Sequence, residues 1–327
     1  MKRNNFCTLF DSNYLTRGLV LYHSLENVCN DFHLYIFAFD EKCFSILNKL
    51  NLKHATIISL RQFEDDKLLK VKPTRTIAEY CWTSTSSTIL YVLNNFKTET
   101  CTYLDADLYF YKSPEIIFDE FKNSSILLTE HRYSKNYDKS RKAGKYCVQY
   151  ITFKNNDDGL TALKWWRDKC IEWCFNRIED GKFGDQKYLD DWLERFKGVH
   201  VLQNLGGGVA AWNVQQYKVQ NSQLELTIID FNKNEYPVIF YHFHYLRFLE
   251  NNLIELGRRK LSEDVLSLIY APYIRELEKT KNIISEIDNS FDSNGTTKNS
   301  FTLKTPLIYF WRKLRGTYNI FPTSKFI

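Results

Sequence analysis

Over its first hundred residues the chain alternates short apolar runs with amphipathic ones, and this alternation leaves few folds open. Residues 6–10, 32–39, 54–60 and 101–104 read as strands, being short runs rich in aromatic and β-branched side chains. Residues 14–26, 43–50 and 77–93 carry helical spacing; in the first of them Leu15, Leu19, Tyr22 and Leu25 fall on one face. Strand–helix repetition of this kind predicts an α/β fold, a parallel sheet with helices on both faces. In such sheets ligands bind at the carboxyl ends of the strands. Two polar clusters stand at those ends, Asp11-Ser12-Asn13-Tyr14 and Asp105-Ala106-Asp107.

The second half is mixed. Residues 125–129, 146–153 and 237–245 read as strands, 159–177 as a Trp-rich amphipathic helix, 184–192 as a short helix after a glycine turn, and 203–213 as a Gly-rich loop. Helices are expected on to about residue 287, followed by a polar linker over 288–300. The 327 residues suit one domain over 1–250 and a helical C-terminal extension over 251–327.

A net charge of +5 is too small to argue for nucleic acid, and no zinc-finger or RNA-binding signature is present. The eight cysteines, several inside apolar strand-like runs, read as buried thiols of a reduced compartment. The start, Met1-Lys2-Arg3-Asn4-Asn5, lacks the pattern of a secretory leader, so a cytoplasmic location is expected. Residues 301–327 hold Lys304, Arg312, Lys313, Arg315 and Lys325 and no acid, interleaved with aromatic residues. Such a tail suits contact with an anionic membrane surface, or docking on its own domain.

Several residues could carry chemistry. Two carboxylates two positions apart at a strand end, Asp105 and Asp107, can both face a pocket and hold a hard divalent cation against diphosphate oxygens. His242 and His244 share one face of a strand and could add an imidazole, although a lone histidine is more often structural. Asp185 and Gln186 follow Gly184 at a helix start, where Asp could equally be a cap. Gly206-Gly207-Gly208 lets backbone approach a ligand but lacks the frame of a phosphate loop.

Three segments together resemble a known family. Phe6-Cys7-Thr8-Leu9-Phe10-Asp11-Ser12-Asn13-Tyr14-Leu15-Thr16-Arg17-Gly18 resembles the opening of glycogenin-like transferases of the GT-A fold. Leu104-Asp105-Ala106-Asp107 resembles their metal motif, and Gly184-Asp185-Gln186 their later Asp-Gln helix start. Over residues 5–250 the chain is similar to glycosyltransferases of bacterial surface-polysaccharide clusters. The resemblance implies a GT-A-like, Rossmann-like nucleotide-diphospho-sugar transferase with a mixed sheet. It also implies Mn²⁺ or Mg²⁺, a nucleotide-sugar donor of the UDP type, and a glycan or lipid-linked glycan acceptor. Such an enzyme would build surface polysaccharide or lipopolysaccharide from the cytoplasm, at the inner face of the membrane.

The resemblance also implies residue roles. Tyr14 would stack on uracil, with Thr8, Asp11 and Asn13 beside base or ribose. Asp105, Ala106 and Asp107 would form the metal motif, with His242 as third ligand from a His-Phe-x-Gly segment. In that segment Tyr245 stands where the family has Gly, which makes His244 an alternative ligand. Asp185, Gln186 and His131 would act on sugar or acceptor, while Arg75, Gln149 and Gly207 would border the donor. Two other readings stay open. One is a sugar nucleotidyltransferase, against which the absence of a Gly-rich basic loop after the first strand counts; the other is a non-catalytic glycan- or nucleotide-binding module.

Overall fold

A computed structural model describes residues 3–222, 225–299 and 302–327. Of the segments read above, Met1 and Lys2 of the opening, Ser300 of the linker and Phe301 of the tail lie outside the described residues.

A seven-stranded sheet runs in the order β3-β2-β1-β4-β7-β6-β8. Its strands are β1 (Asn4–Phe10), β2 (Phe32–Ala38), β3 (Ala55–Ser59), β4 (Thr100–Leu104), β6 (Ile126–Glu130), β7 (Tyr146–Lys154) and β8 (Val199–Val201). β5 (Leu108–Phe110) belongs to a smaller sheet described below. β1 pairs in parallel with both β2 and β4, and β7 is antiparallel to its neighbours β4 and β6. The sheet is therefore mixed, and the strand order switches at β1, where a crevice opens at the carboxyl ends.

Alternation along β1 sends Phe6 and Phe10 to one face and Cys7 and Leu9 to the other, where they join separate cores. Helices Leu15–Val28 and Glu41–Leu50 cover the first face. Helices Ile77–Asn95 and Asp157–Glu172 cover the second, with Ile89, Val92 and Trp166 fully buried. Thr76 and Glu79 close a capping box at the start of Ile77–Asn95. The Trp-rich helix stops at Glu172, short of the expected 177, because Trp173 turns extended.

The smaller sheet orders β5, β13 (Phe240–His242) and β9 (Gly207–Ala210). The segment expected as a Gly-rich loop is thus partly a strand. Its glycines serve packing: a Cβ at Gly206 would lie 1.9 Å from the Pro237 carbonyl oxygen. A third core lies under this sheet, where Phe243 stacks on Tyr273 of helix Ala271–Ile287 with centroids 3.6 Å apart. The segment after residue 250 is not wholly helical, since β14 (Arg247–Leu249), β15 (Leu253–Glu255) and β16 (Ile320–Pro322) form an antiparallel sheet before and after helix Thr305–Leu314. Among the described residues no helix is long and apolar enough to cross a membrane.

Candidate active site

The site begins where β4 stops. The Asp105 N–H donates to the Gln149 carbonyl at 3.0 Å, and the Leu108 N–H donates back to the Asp105 carbonyl at 3.2 Å. This turn presents Asp105 and Asp107 before β5 resumes. β5 then pairs antiparallel with β13, which sets His242 opposite Leu108, and the Phe243 N–H donates to the Asp107 carbonyl at 3.0 Å. The register brings His242 Nε2 to 2.9 Å from Asp107 Oδ1 and 3.6 Å from Asp105 Oδ2. On the far side of the ring, His242 Nδ1 donates to Gln149 Oε1 at 2.6 Å. That bond fixes the ring so that Nε2 faces the carboxylates, the arrangement a metal-binding imidazole needs. Asp107, His242 and His244 each offer a ligand atom, all within 4.8 Å of one another.

Electrostatics sharpen the picture. Burial disfavours the His242 imidazolium, but the Asp107 carboxylate beside it raises its pKa well above the usual value. Burial likewise opposes the Asp107 charge, and the His242 charge overcomes this and brings its pKa down to about 2. Asp105 is pushed up to about 6 by burial, with His242 opposing and Asp107 adding to the rise. Burial drives His244 and His131 down to about 3, so both rings are neutral. Burial, then Asp105, raises Asp185 to about 7. Two acids beside one imidazolium, with Asp185 close enough to Asp105 to be raised by it, leave room for more positive charge. Two carboxylates and imidazole nitrogens form a donor set that fits Mn²⁺ or Mg²⁺, the imidazoles favouring the softer Mn²⁺.

The carboxylates and histidines line a cavity of about 690 Å³. At one end stand Asp11 and Tyr14. The Tyr14 ring is 42% exposed and is backed by the Arg17 guanidinium 4.5 Å from its centroid. Arg17 is buried, and it donates to the carbonyls of Asn13, Leu246 and Asn294. At the other end are Trp82, Phe183, Asp185 and Gln186. An aromatic wall completes the cavity: His131 stacks on Tyr133 at 4.5 Å, and Trp212 Nε1 donates to the His131 carbonyl at 2.9 Å. Flat rings beside polar groups suit a sugar face.

Of the residues singled out in the sequence, the cavity gathers Asp11, Tyr14, Asp105, Ala106, Asp107, His131, Asp185, Gln186, His242 and His244. It leaves five aside. Thr8 is buried within β1. The Asn13 side chain donates to Asp11, whose carboxylate caps the turn Ser12–Tyr14. Arg75 is occupied by the Phe175 ring at 3.8 Å and the Ile171 carbonyl. Gly207 sits against Leu202, where a Cβ would come within 2.6 Å of the side chain. Gln149 is fully buried behind His242, with its side-chain oxygen on the His242 ring.

Other cavity residues escaped the sequence reading. Arg259, only 7% exposed, lines the cavity with no carboxylate partner among the described residues, its guanidinium 5.0 Å from the Tyr245 ring centroid. Lys139 and Lys142 add two more cations. The signal was present in Gly257-Arg258-Arg259-Lys260, a basic run after a glycine. Tyr245, at the family's glycine position, adopts φ +73, the left-handed conformation that favours glycine. From that turn its ring lies over Arg259.

No protein-family model matches the chain. The chain is 33% identical over 300 residues to the uncharacterized protein YfnD of Bacillus subtilis (strain 168), covering 89% of this chain and 93% of that protein. It is 33% identical over 280 residues to the uncharacterized protein YfnF of the same organism, covering 83% of this chain and 89% of that protein. Among solved structures, the galactosyltransferase LgtC in complex with donor and acceptor sugar analogs superimposes with a TM-score of 0.50 at 12% identity, covering 84% of this chain and 95% of that one. The bifunctional glycosyltransferase WbbM gives a TM-score of 0.52 at 12% identity, covering 88% of this chain and 52% of that one. At such identity the likeness is one of fold. The chain belongs to the family of YfnD and YfnF, and its fold is the one seen in the glycosyltransferases LgtC and WbbM.

Proposed function

We propose that the chain is a metal-dependent glycosyltransferase that moves a sugar from a UDP-sugar to a glycan or lipid-linked glycan in surface-polysaccharide synthesis, at the cytoplasmic face of the membrane. The observation that carries this reading is the convergence on His242: Nε2 faces Asp107 at 2.9 Å and Asp105 at 3.6 Å while Gln149 holds Nδ1. Asp105, Asp107 and His242, with His244 alongside, would hold the cation. When bound, a divalent cation neutralises charge on the leaving diphosphate as a Lewis acid. Arg259 adds fixed positive charge in a shielded cavity, where it counts for more than in water, and Arg17 stands behind the Tyr14 ring. Tyr14 offers its exposed ring to the base, and Asp11 stands beside it for the ribose. Asp185, with a pKa of about 7, is the cavity acid able to exchange a proton near neutrality. Gln186 beside it is placed to hydrogen-bond the sugar or the acceptor.

The tail supports the membrane part of the reading. Helix Thr305–Leu314 leaves Leu307, Phe310, Trp311 and Leu314 at least half exposed, beside Lys304, Lys313 and Arg315. The functional test is donor turnover: a panel of nucleotide sugars incubated with wild type, with Mn²⁺ or with chelator, and nucleoside diphosphate release measured. Release from a UDP-sugar that requires metal and is lost in Asp107→Ala is expected. Release that survives chelator, or none from any donor, would overturn the reading.

A further inference from the structure

A second cavity, of about 710 Å³, lies between helix Thr305–Leu314 and the segment after Gly257. Its walls include Arg258, Lys260, Trp311, Arg312 and Arg315. Arg312 is neutralised: its guanidinium reaches Glu255 at 2.9 Å and the Gly257 carbonyl at 3.1 Å, which pins the helix to β15. The other three cations have no carboxylate partner among the described residues. Glu255, the acid nearest to hand, is already shared between Arg312 and Arg247. Like charges gathered in a concave surface without counter-ions focus a positive potential.

The position of this cavity matters as much as its charge. Arg258, Arg259 and Lys260 are consecutive, yet Arg259 faces the first cavity while its two neighbours face the second. Tyr137 stands between: its ring lies 5.8 Å from the Arg259 guanidinium, and its hydroxyl accepts from the Lys260 N–H at 2.9 Å. The two cavities therefore meet back to back across one short segment. On the outer side the second cavity opens beside Ile308 and Trp311, 43% and 50% exposed. Phosphate would satisfy the cations, an apolar chain would lie along the exposed helix face, and a glycan on that phosphate would point toward the first cavity.

We propose that this second cavity is the seat of the phosphate linkage of a lipid-borne acceptor. The word acceptor rests on the glycosyltransferase reading; the anion site itself does not. The test is calorimetry in the presence of EDTA, with farnesyl diphosphate and inorganic pyrophosphate as probes. The proteins are wild type, Arg258→Ala/Lys260→Ala, and Arg315→Ala, all altered at exposed positions. Both probes should bind wild type without metal, the farnesyl ester more tightly, and each variant should weaken both by roughly tenfold or more, as expected for loss of charge-assisted hydrogen bonds. UDP with Mn²⁺ should bind variants and wild type alike, which shows that they fold. Equal binding of farnesyl diphosphate by wild type and variants would overturn the proposal, as would no metal-free binding to wild type. Binding only to phosphatidylglycerol vesicles, unchanged in the variants, would also overturn it, since the helix would then touch lipid without using the cavity. Failure of wild type to bind UDP with Mn²⁺ would count against the donor site alone.

Discussion

The two cavities are built on opposite electrostatic plans. The first sets Asp105 and Asp107 about the His242 imidazole and adds Asp185, and burial and neighbouring charge spread their pKa values from about 2 to about 7. The second collects bases, and Glu255, the acid that holds its Arg312, is shared by two arginines. At its acid cluster the first suits a cation, although Arg259, Lys139 and Lys142 also stand on its wall; the second has a surplus of base and suits an anion. Arg259 belongs to the same basic run as the second cavity but turns into the first, where a diphosphate would need it. A site that handles a charged leaving group and a charged acceptor requires both plans close together.

The largest effect that would sharpen this contrast is at the acid floor. Asp107→Ala removes a carboxylate that is common to the mutually close ligand group and the His242 ion pair. Metal-dependent nucleotide binding should fall below detection in calorimetry, while farnesyl diphosphate binding in EDTA is unchanged. Next comes the support behind the floor. Gln149→Leu frees His242 Nδ1 and should cut Mn²⁺ affinity roughly 10- to 100-fold, the usual effect of losing an orienting partner, with little change in far-UV circular dichroism. Unchanged Mn²⁺ affinity would show that the ring needs no such partner.

A third prediction breaks the comparison from the other side. Arg312→Ala leaves the buried Glu255 with only Arg247 and unpins the last helix. Loss of one member of a buried pair typically costs about 3 kcal/mol, read as a lower midpoint in urea unfolding. Farnesyl diphosphate binding should be lost, and UDP binding with Mn²⁺ kept at a temperature where the protein is folded. The smallest effect is in pH. Asp185 has a folded pKa near 7 against an ordinary value of 3.8, so the folded state holds a proton that the unfolded state has released. The stability this gives is complete below about pH 4 and is lost as pH rises to about 7. In metal-free protein, Asp185→Asn should therefore raise the melting temperature at pH 7.5 more than at pH 4.5; an equal shift at both would contradict the raised pKa.

How much of this could be read from the chain depended on whether the signal was local. The strands before Asp11 and Asp105 carry their own apolar runs, so both clusters were visible, along with Tyr14, as strand-end groups. His242 was visible because strand alternation and its spacing to His244 are local too. Gln149 was singled out only through the resemblance, as a residue bordering the donor. Its role is set by the β4–β7 pairing and by the approach of β13 from 93 residues away. Arg75 was singled out and Arg259 was not, yet the Phe175 ring and the Ile171 carbonyl occupy Arg75 while Arg259 lines the cavity. The second cavity joins residues 258–260 to the last helix across a polar linker, a contact that no periodicity announces.

The central claim is that Asp105, Asp107 and His242 hold a divalent cation for a uridine diphosphate group. Calorimetric titration of UDP into wild type, with and without Mn²⁺, tests it most directly. Binding with Mn²⁺ that is absent in chelator and absent in His242→Ala is expected. Binding of equal strength without metal, or in His242→Ala, would contradict it.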